Sequence, residues 1–253
     1  MRRLLLILAV VAPAWSAAAS ELVTDLSEHL IAITSSFHGT DLLLFGSVQE
    51  SRDATTVTQG GADIVVVVRG PDQPVVVRRK ARVAGIWVNR DALVFDNVPG
   101  YYSVLSNRPL SEIAPASVLA RHRIGLPYLD LETRQSDLPD GSSGFREAIV
   151  RARTRDNLFI QDESAINFLG GTLFKTDVHF PANVPVGNYT THVYLLRDGQ
   201  MISAQTSPLF VDKSGIERRI YKLAHDKPAI YGILAVIMAI AAGWLAAAVF
   251  RRG

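Results

Sequence analysis

Apolar and polar positions fall into three regimes along the chain. Residues 4–11 and 229–250 are apolar and free of charge, while the body between them breaks into short runs punctuated by Gly, Pro, Asn and Asp. From residue 22 to about 107 the runs read as strands. Residues 30–34, 41–48, 63–69, 75–80, 85–88, 92–95 and 101–105 carry the β-branched and apolar enrichment, with Gly39, Gly60-Gly61 and Gly70-Pro71-Asp72 as breaks. Residues 64–68 are continuously apolar and contain four valines, which predicts a strand buried on both faces. Between residues 111 and 156 the texture turns helical. Helix starts are predicted near Ser111 and Ser143, and Phe145, Ile149 and Ala152 of the second share a face. The β pattern returns at 172–180, 188–196 and 201–211, with Asp198-Gly199 as a hairpin signal.

These elements predict a mainly β protein: an immunoglobulin-like β-sandwich with a helical insertion, two small domains being the alternative. Val184-Pro185-Val186-Gly187-Asn188-Tyr189, entering a strand, is similar to the tyrosine corner of such sandwiches. The expected boundaries are 20–110 and 157–213 for the two parts of the sandwich and 111–156 for the insertion. Residues 214–228 follow as a juxtamembrane stem helix, with Ile216, Ile220 and Leu223 at helical spacing.

The two apolar ends carry the topology. Arg2-Arg3, a short apolar run and Ala17-Ala18-Ala19 make residues 1–19 a signal peptide, too short to span ~30 Å of hydrocarbon. Residues 229–250 are long enough at about 1.5 Å per residue, and Arg251-Arg252 closes them as a cytoplasmic tail, 251–253. The expected location is therefore the bacterial inner membrane, single-pass, with the bulk of the chain in the periplasm and the C-terminus cytoplasmic. Charge supports this partition. The full 253-residue chain has 26 basic and 24 acidic residues, but four of the arginines sit in the termini, so the body is slightly acidic. A nucleic-acid partner is excluded for want of a basic footprint.

Candidate chemistry is sparse. The chain has no cysteine, which removes thiolate metal sites, disulfides and a cysteine nucleophile. It contains no Gly-x-Ser-x-Gly, Ser-x-x-Lys, phosphate loop or His-Glu-x-x-His, so no catalytic residue is assigned, no cofactor is expected and a non-enzymatic role is expected. Among six histidines, His179 and His192 lie on successive predicted strands, and a hairpin would bring them together as the best metal ligands available. Arg78, Lys80 and Arg82 would share one strand face near Trp87, a candidate for an anion or acidic headgroups; a charged edge strand is the plain alternative. Tyr101, Tyr102, Asn107 and Arg108 form a candidate interaction surface, because tyrosine and arginine dominate binding hot spots; a core-lining turn explains the tyrosines equally well. In the membrane segment Ala235, Ala239, Gly243 and Ala247 recur every four residues, a ridge on which a polytopic transporter or a second copy could pack.

With residues 33–46 (ITSSFHGTDLLLFG), 82–89 (RVAGIWVN), Tyr101-Tyr102 and Tyr231-Gly232-Ile233 in view, the chain resembles the alphaproteobacterial transmembrane protein family, which has no assigned activity. The resemblance covers nearly all of the mature chain. It implies an inner-membrane protein with a periplasmic domain. Because members are often encoded beside exporters of the sulfite and sulfonate type, it also implies an accessory role in transport. A periplasmic anion-binding module is the alternative, and a metal-dependent enzyme the remaining class.

Overall fold

The computed structural model describes residues 22–48, 61–133, 143–213 and 224–250. The signal peptide, most of the expected stem helix and the tail at 251–253 lie outside them; of the stem, residues 224–226 are helical. Two sheets carry the body. The first has the order β1-β3-β10-β9, from Leu22–Leu26, Gly39–Val48, Leu173–Pro181 and Asn167–Leu169. The second has the order β2-β12-β11-β4-β7-β8, from Leu30–Ile33, Gln200–Lys213, Gly187–Arg197, Asp63–Arg69, Tyr102–Ser106 and Phe159–Asp162. Each sheet mixes strands from before and after the insertion, and their inner faces fill one core cluster.

Alternation decides which side chains meet. On β3 and β10, Leu42, Leu44, Phe174, Val178 and Phe180 turn inward, against Tyr189, Val193, Leu195 and Leu209 of the second sheet. Aromatic rings cross the gap: Tyr101 stacks on Phe180 at 5.0 Å, and Phe180 meets Tyr189 edge-on at 5.9 Å. Along the strand edges, the Gln205 side chain both accepts from Thr24 N–H and donates to its carbonyl, joining the sheets at 2.8 and 3.1 Å.

The valine run is buried on both faces, as its pattern predicts, although its neighbours β11 and β7 are antiparallel to it. An antiparallel sheet leaves one face to solvent unless something covers it. Here the helical insertion does. Helices α1 (Leu110–Ile113) and α2 (Ala116–Arg121), a 3-10 turn at Leu126–Tyr128 and α3 (Ser143–Arg155) follow β7. The Tyr102 hydroxyl pins the cover, donating to Arg123 O and accepting from Gly125 N–H at 2.8 and 3.1 Å. The same insertion lets β8 run parallel to β7, a pairing that needs a long crossover.

Two differences from the pattern stand out. Residues 85–88 and 92–95, expected as separate strands, belong to one strand, β6 (Ile86–Pro99), laddered to β5 (Asp72–Val83) with one further bridge from Phe95 to Thr133. This hairpin is a third sheet of its own, laddered to neither large sheet and flanked by α3, while Leu93, Phe95 and Val98 toward its root join the common core. Strands β1, β8 and β9, of five, four and three residues, have no counterpart among the predicted runs. They are too short for periodicity to register; partners more than ten residues away in sequence hold β1 and β8, and β9 pairs with the adjacent β10. Finally, α4 (Pro228–Phe250) is one uninterrupted apolar helix, with Pro228 at its first position where a missing N–H costs nothing.

Candidate functional site

The candidate residues separate into buried and exposed sets. Tyr101 and Tyr102, one half of the expected interaction surface, are 0% and 1% exposed. This corrects the surface reading: both rings are core, and their hydroxyls are spent on backbone, Tyr101 on His179 O at 2.6 Å and Tyr102 on Arg123 O. Burial pushes the Tyr102 hydroxyl up to about 12 and the Tyr101 hydroxyl further, so both stay protonated donors.

Asn107 and Arg108, the other half, serve the start of β4. Arg108 grips the buried Asp63 carboxylate with Nε and Nη2, both at 2.6 Å, while Asn107 donates to it at 3.1 Å and accepts from Ile64 N–H at 2.9 Å. Removing one partner of a buried carboxylate leaves a charge without compensation. Arg108→Ala should therefore cost about 2–3 kcal/mol and lower Tm by roughly 5–10 °C. Adding Asp63→Asn should recover part of the loss in a thermal melt; equal melting of wild type and Arg108→Ala would contradict this assignment.

The histidine pair does not form. His179 lies on β10 and His192 on β11, and these strands belong to different sheets because residues 182–186 carry the chain across the sandwich instead of turning back within one. His179 pairs on the outer face of the first sheet with Asp41, 2.6 Å from Nδ1. His192 contacts Thr206 at 3.0 Å and stacks on Tyr194, both in the second sheet. Among the described residues no group of three or more His, Asp or Glu could hold a metal ion. Burial, then the nearby Arg69 guanidinium, holds the His192 imidazole below its ordinary value near 6.5. The unfolded chain then binds the extra proton, so this stability is complete above ~6.5 and is lost as pH falls through the folded value. Tm should drop on going from pH 7 to pH 5, with a slope of at most ~1.4 kcal/mol per unit, and His192→Gln should flatten that drop.

The exposed set is concentrated in two places. At the hairpin end, Arg82 pairs with Trp87 and Lys80 with Asn89, placing Arg78, Lys80, Arg82 and Trp87 on one face as the alternation predicts. Arg79 is on the other face, bonded to Asp91 at 2.9 Å and lying over the Phe145 ring. The second place was not visible in the pattern. Val23, Phe45, Leu169 and Leu173 share the outer face of the first sheet around Ser47, and each is 40–48% exposed. The signal was there in part. Leu42-Leu43-Leu44-Phe45 is apolar at consecutive positions, and an antiparallel strand with one solvated face should alternate. A concavity of about 450 Å³ between α3 and residues 126–131 is lined mainly by Leu126, Leu129, Leu131 and Val150.

Helix α4 is a further exposed apolar surface. Its span Pro228–Ala246 has a mean hydropathy of 2.2, and none of it is buried against the rest of the chain. Ala235 and Ala239 are open, and a Cβ placed on Gly243 would meet no atom within 4 Å. Ala247 lies on the same helix. Residues 21–252 match the model of a family described as "putative transmembrane protein". The chain belongs to that family. Neither a curated protein nor a solved structure matches it. Family and helix agree on a membrane protein with, among the described residues, one candidate spanning helix and a β-rich body.

Proposed function

We propose that this family member is a non-enzymatic, single-pass inner-membrane protein whose body lies in the periplasm, and that the body is an interaction module of a membrane transporter. The observation that carries the reading is the apolar outer face of the first sheet, Val23, Phe45, Leu169 and Leu173, on a chain tethered beside its potential partners by α4. The Ala235, Ala239, Gly243 and Ala247 ridge supports a helix-to-helix contact with the same partner or with a second copy. An immunoglobulin-like body suits such a role. Support for that architecture comes from the sheet orders, which parallel those of a variable-type domain, and from the Tyr189 hydroxyl donating to Pro185 O at the start of β11. The resemblance narrows the partner to an exporter of the sulfite and sulfonate type.

The test is purification of the full-length chain from native membranes in mild detergent, beside Phe45→Glu and Leu173→Glu. A polytopic membrane protein should accompany the wild type and fall at least about tenfold in either variant, the loss of one hot-spot contact. No accompanying protein, or one indifferent to both variants, refutes the reading. A second reading, a periplasmic anion-binding module, draws support from Arg78, Lys80 and Arg82 sharing a face with Trp87. Calorimetric titration with sulfite and sulfate tests it, and an absence of heat removes it.

A further inference from the structure

We infer that the tip of the β5–β6 hairpin is a second membrane contact, docking on the anionic headgroup surface of the bilayer that α4 anchors the chain to. The composition of the tip is that of an interfacial segment. Ile86 and Trp87 are 65% and 69% exposed and Val83 is 48% exposed, at the end of the hairpin. From Arg78 to Arg90 the chain has five cations and no acid, and Asp91, the first acid beyond, is bonded to Arg79. A register shift between Arg79 and Lys80 leaves Arg90 as the extra residue of β6, a fourth exposed cation beside Arg78, Lys80 and Arg82. Apolar and aromatic groups at the end with cations behind them suit a lipid surface, where the ring sits at headgroup level and the cations meet phosphates.

Spacing fits this order. Val83 pairs with Ile86 at the very end, Arg82 with Trp87 comes next, and Lys80 with Asn89 follows. At about 3.3 Å per residue, Lys80 stands ~10 Å behind the leading pair, matching the 5–10 Å to which interfacial segments sink.

The fold also puts the hairpin within reach. Gly187 pairs with Val211 near the end of β12, where the chain leaves for the membrane helix. A Cβ on Gly187 would meet Pro71 at 2.8 Å, and Pro71 O accepts from Gly100 N–H at 2.8 Å across the hairpin's root. The hairpin therefore springs from the end of the sandwich that gives rise to the membrane tether. Residues 214–227 reach at most ~50 Å, and a twelve-residue strand such as β5 is about 40 Å long, so the tip and the bilayer share the same range.

Because the chain has no cysteine, Ile86→Cys in the full-length protein accepts a single fluorophore. Asp198→Cys, at the β11–β12 turn on the far end of the sandwich, is the reference. Both are placed in nanodiscs of phosphatidylcholine alone or mixed with phosphatidylglycerol, with a quencher on the acyl chain near the headgroup. The probe at 86 should be quenched in the anionic discs and little in the neutral ones, and the probe at 198 in neither. Replacing Arg78, Lys80 and Arg82 together by Gln should lower the docked-to-undocked ratio about 100-fold, and Trp87→Ala, which leaves the charges in place, should lower it less. A probe at 86 as unquenched as that at 198 overturns the proposal, as does quenching indifferent to lipid charge. An unquenched tip that crosslinks to another protein in native membranes moves the contact to a protein partner. An unquenched tip with a melting shift in sulfate or phosphate at constant ionic strength moves it to a free anion; either outcome also overturns it. These readouts are independent of Phe45 and Leu173, so failure here leaves the sheet-face reading standing.

Discussion

Phe180→Ala should be the most damaging single truncation in the body, costing about 3–5 kcal/mol and lowering Tm by roughly 8–15 °C. Phe180 is fully buried at the end of β10 and touches both Tyr101, at the root of the hairpin, and Tyr189, in the opposite sheet. Truncation leaves a cavity between two sheets whose backbones are each fixed by hydrogen bonds to their neighbours, so collapse can recover little of the loss. It also removes the ring against which Tyr101 is stacked, loosening the bond from the Tyr101 hydroxyl to His179 O. Phe180→Leu, which keeps most of the volume, should cost less than half as much. Chemical denaturation of the full-length protein in detergent checks both; similar midpoints for Ala and wild type would show that the sheets are held together elsewhere.

Gly46→Val should be comparably harmful by the opposite route. Gly46 sits in β3 between Thr24 of β1 and Phe174 of β10, and a Cβ there would lie 2.6 Å from Val23 O and 2.7 Å from the Phe174 ring. The carbonyl belongs to a paired strand and cannot step aside, so the first sheet has to open. A cost of about 3 kcal/mol or more follows, above the usual range for overpacking because one of the clashing atoms is backbone. Pulse proteolysis should show β1 released first. Gly85→Ala gives the contrast: that glycine has φ +87° in the hairpin turn with open space around it, so its penalty is backbone strain alone, about 1–2 kcal/mol.

The sequence carried the strands that are long and patterned. The 63–69 run coincides with β4, because five consecutive apolar residues flanked by Asp63 and Arg69 leave little freedom in where the strand starts and stops. Asp198-Gly199 is the turn expected, with φ of +48° and +76°. The helical insertion was legible from its periodicity, whereas Ser111 does not cap: α1 and α2 begin after Pro109 and Pro115 with no side-chain cap bond. The insertion's task as the cover of a sheet face was not legible, because nothing in Ser111 or Phe145 says which surface they will meet. The candidate site was read less well. Tyr101 and Tyr102 look like Trp87 in composition, all aromatic and all near cations and turns. Which of them is core depends on whether residues distant in sequence, Phe180 and Arg123 among them, arrive to cover the ring.

What the chain determines by itself is therefore its sorting into water and lipid. Charge is absent over residues 229–250 and abundant in the body, and transfer free energy acts on composition whatever the fold. It also determines which runs become strands, since the two-residue alternation is local. Only the tertiary structure decided that β10 and β11 part into different sheets, separating His179 from His192. It alone decided that residues 72–99 leave the sandwich as a hairpin with Trp87 bare at its end, and that Phe45 and Leu173 meet on an uncovered face. Those outcomes rest on strand pairing and face-to-face packing between residues far apart in the chain, and no window of neighbouring residues contains that information.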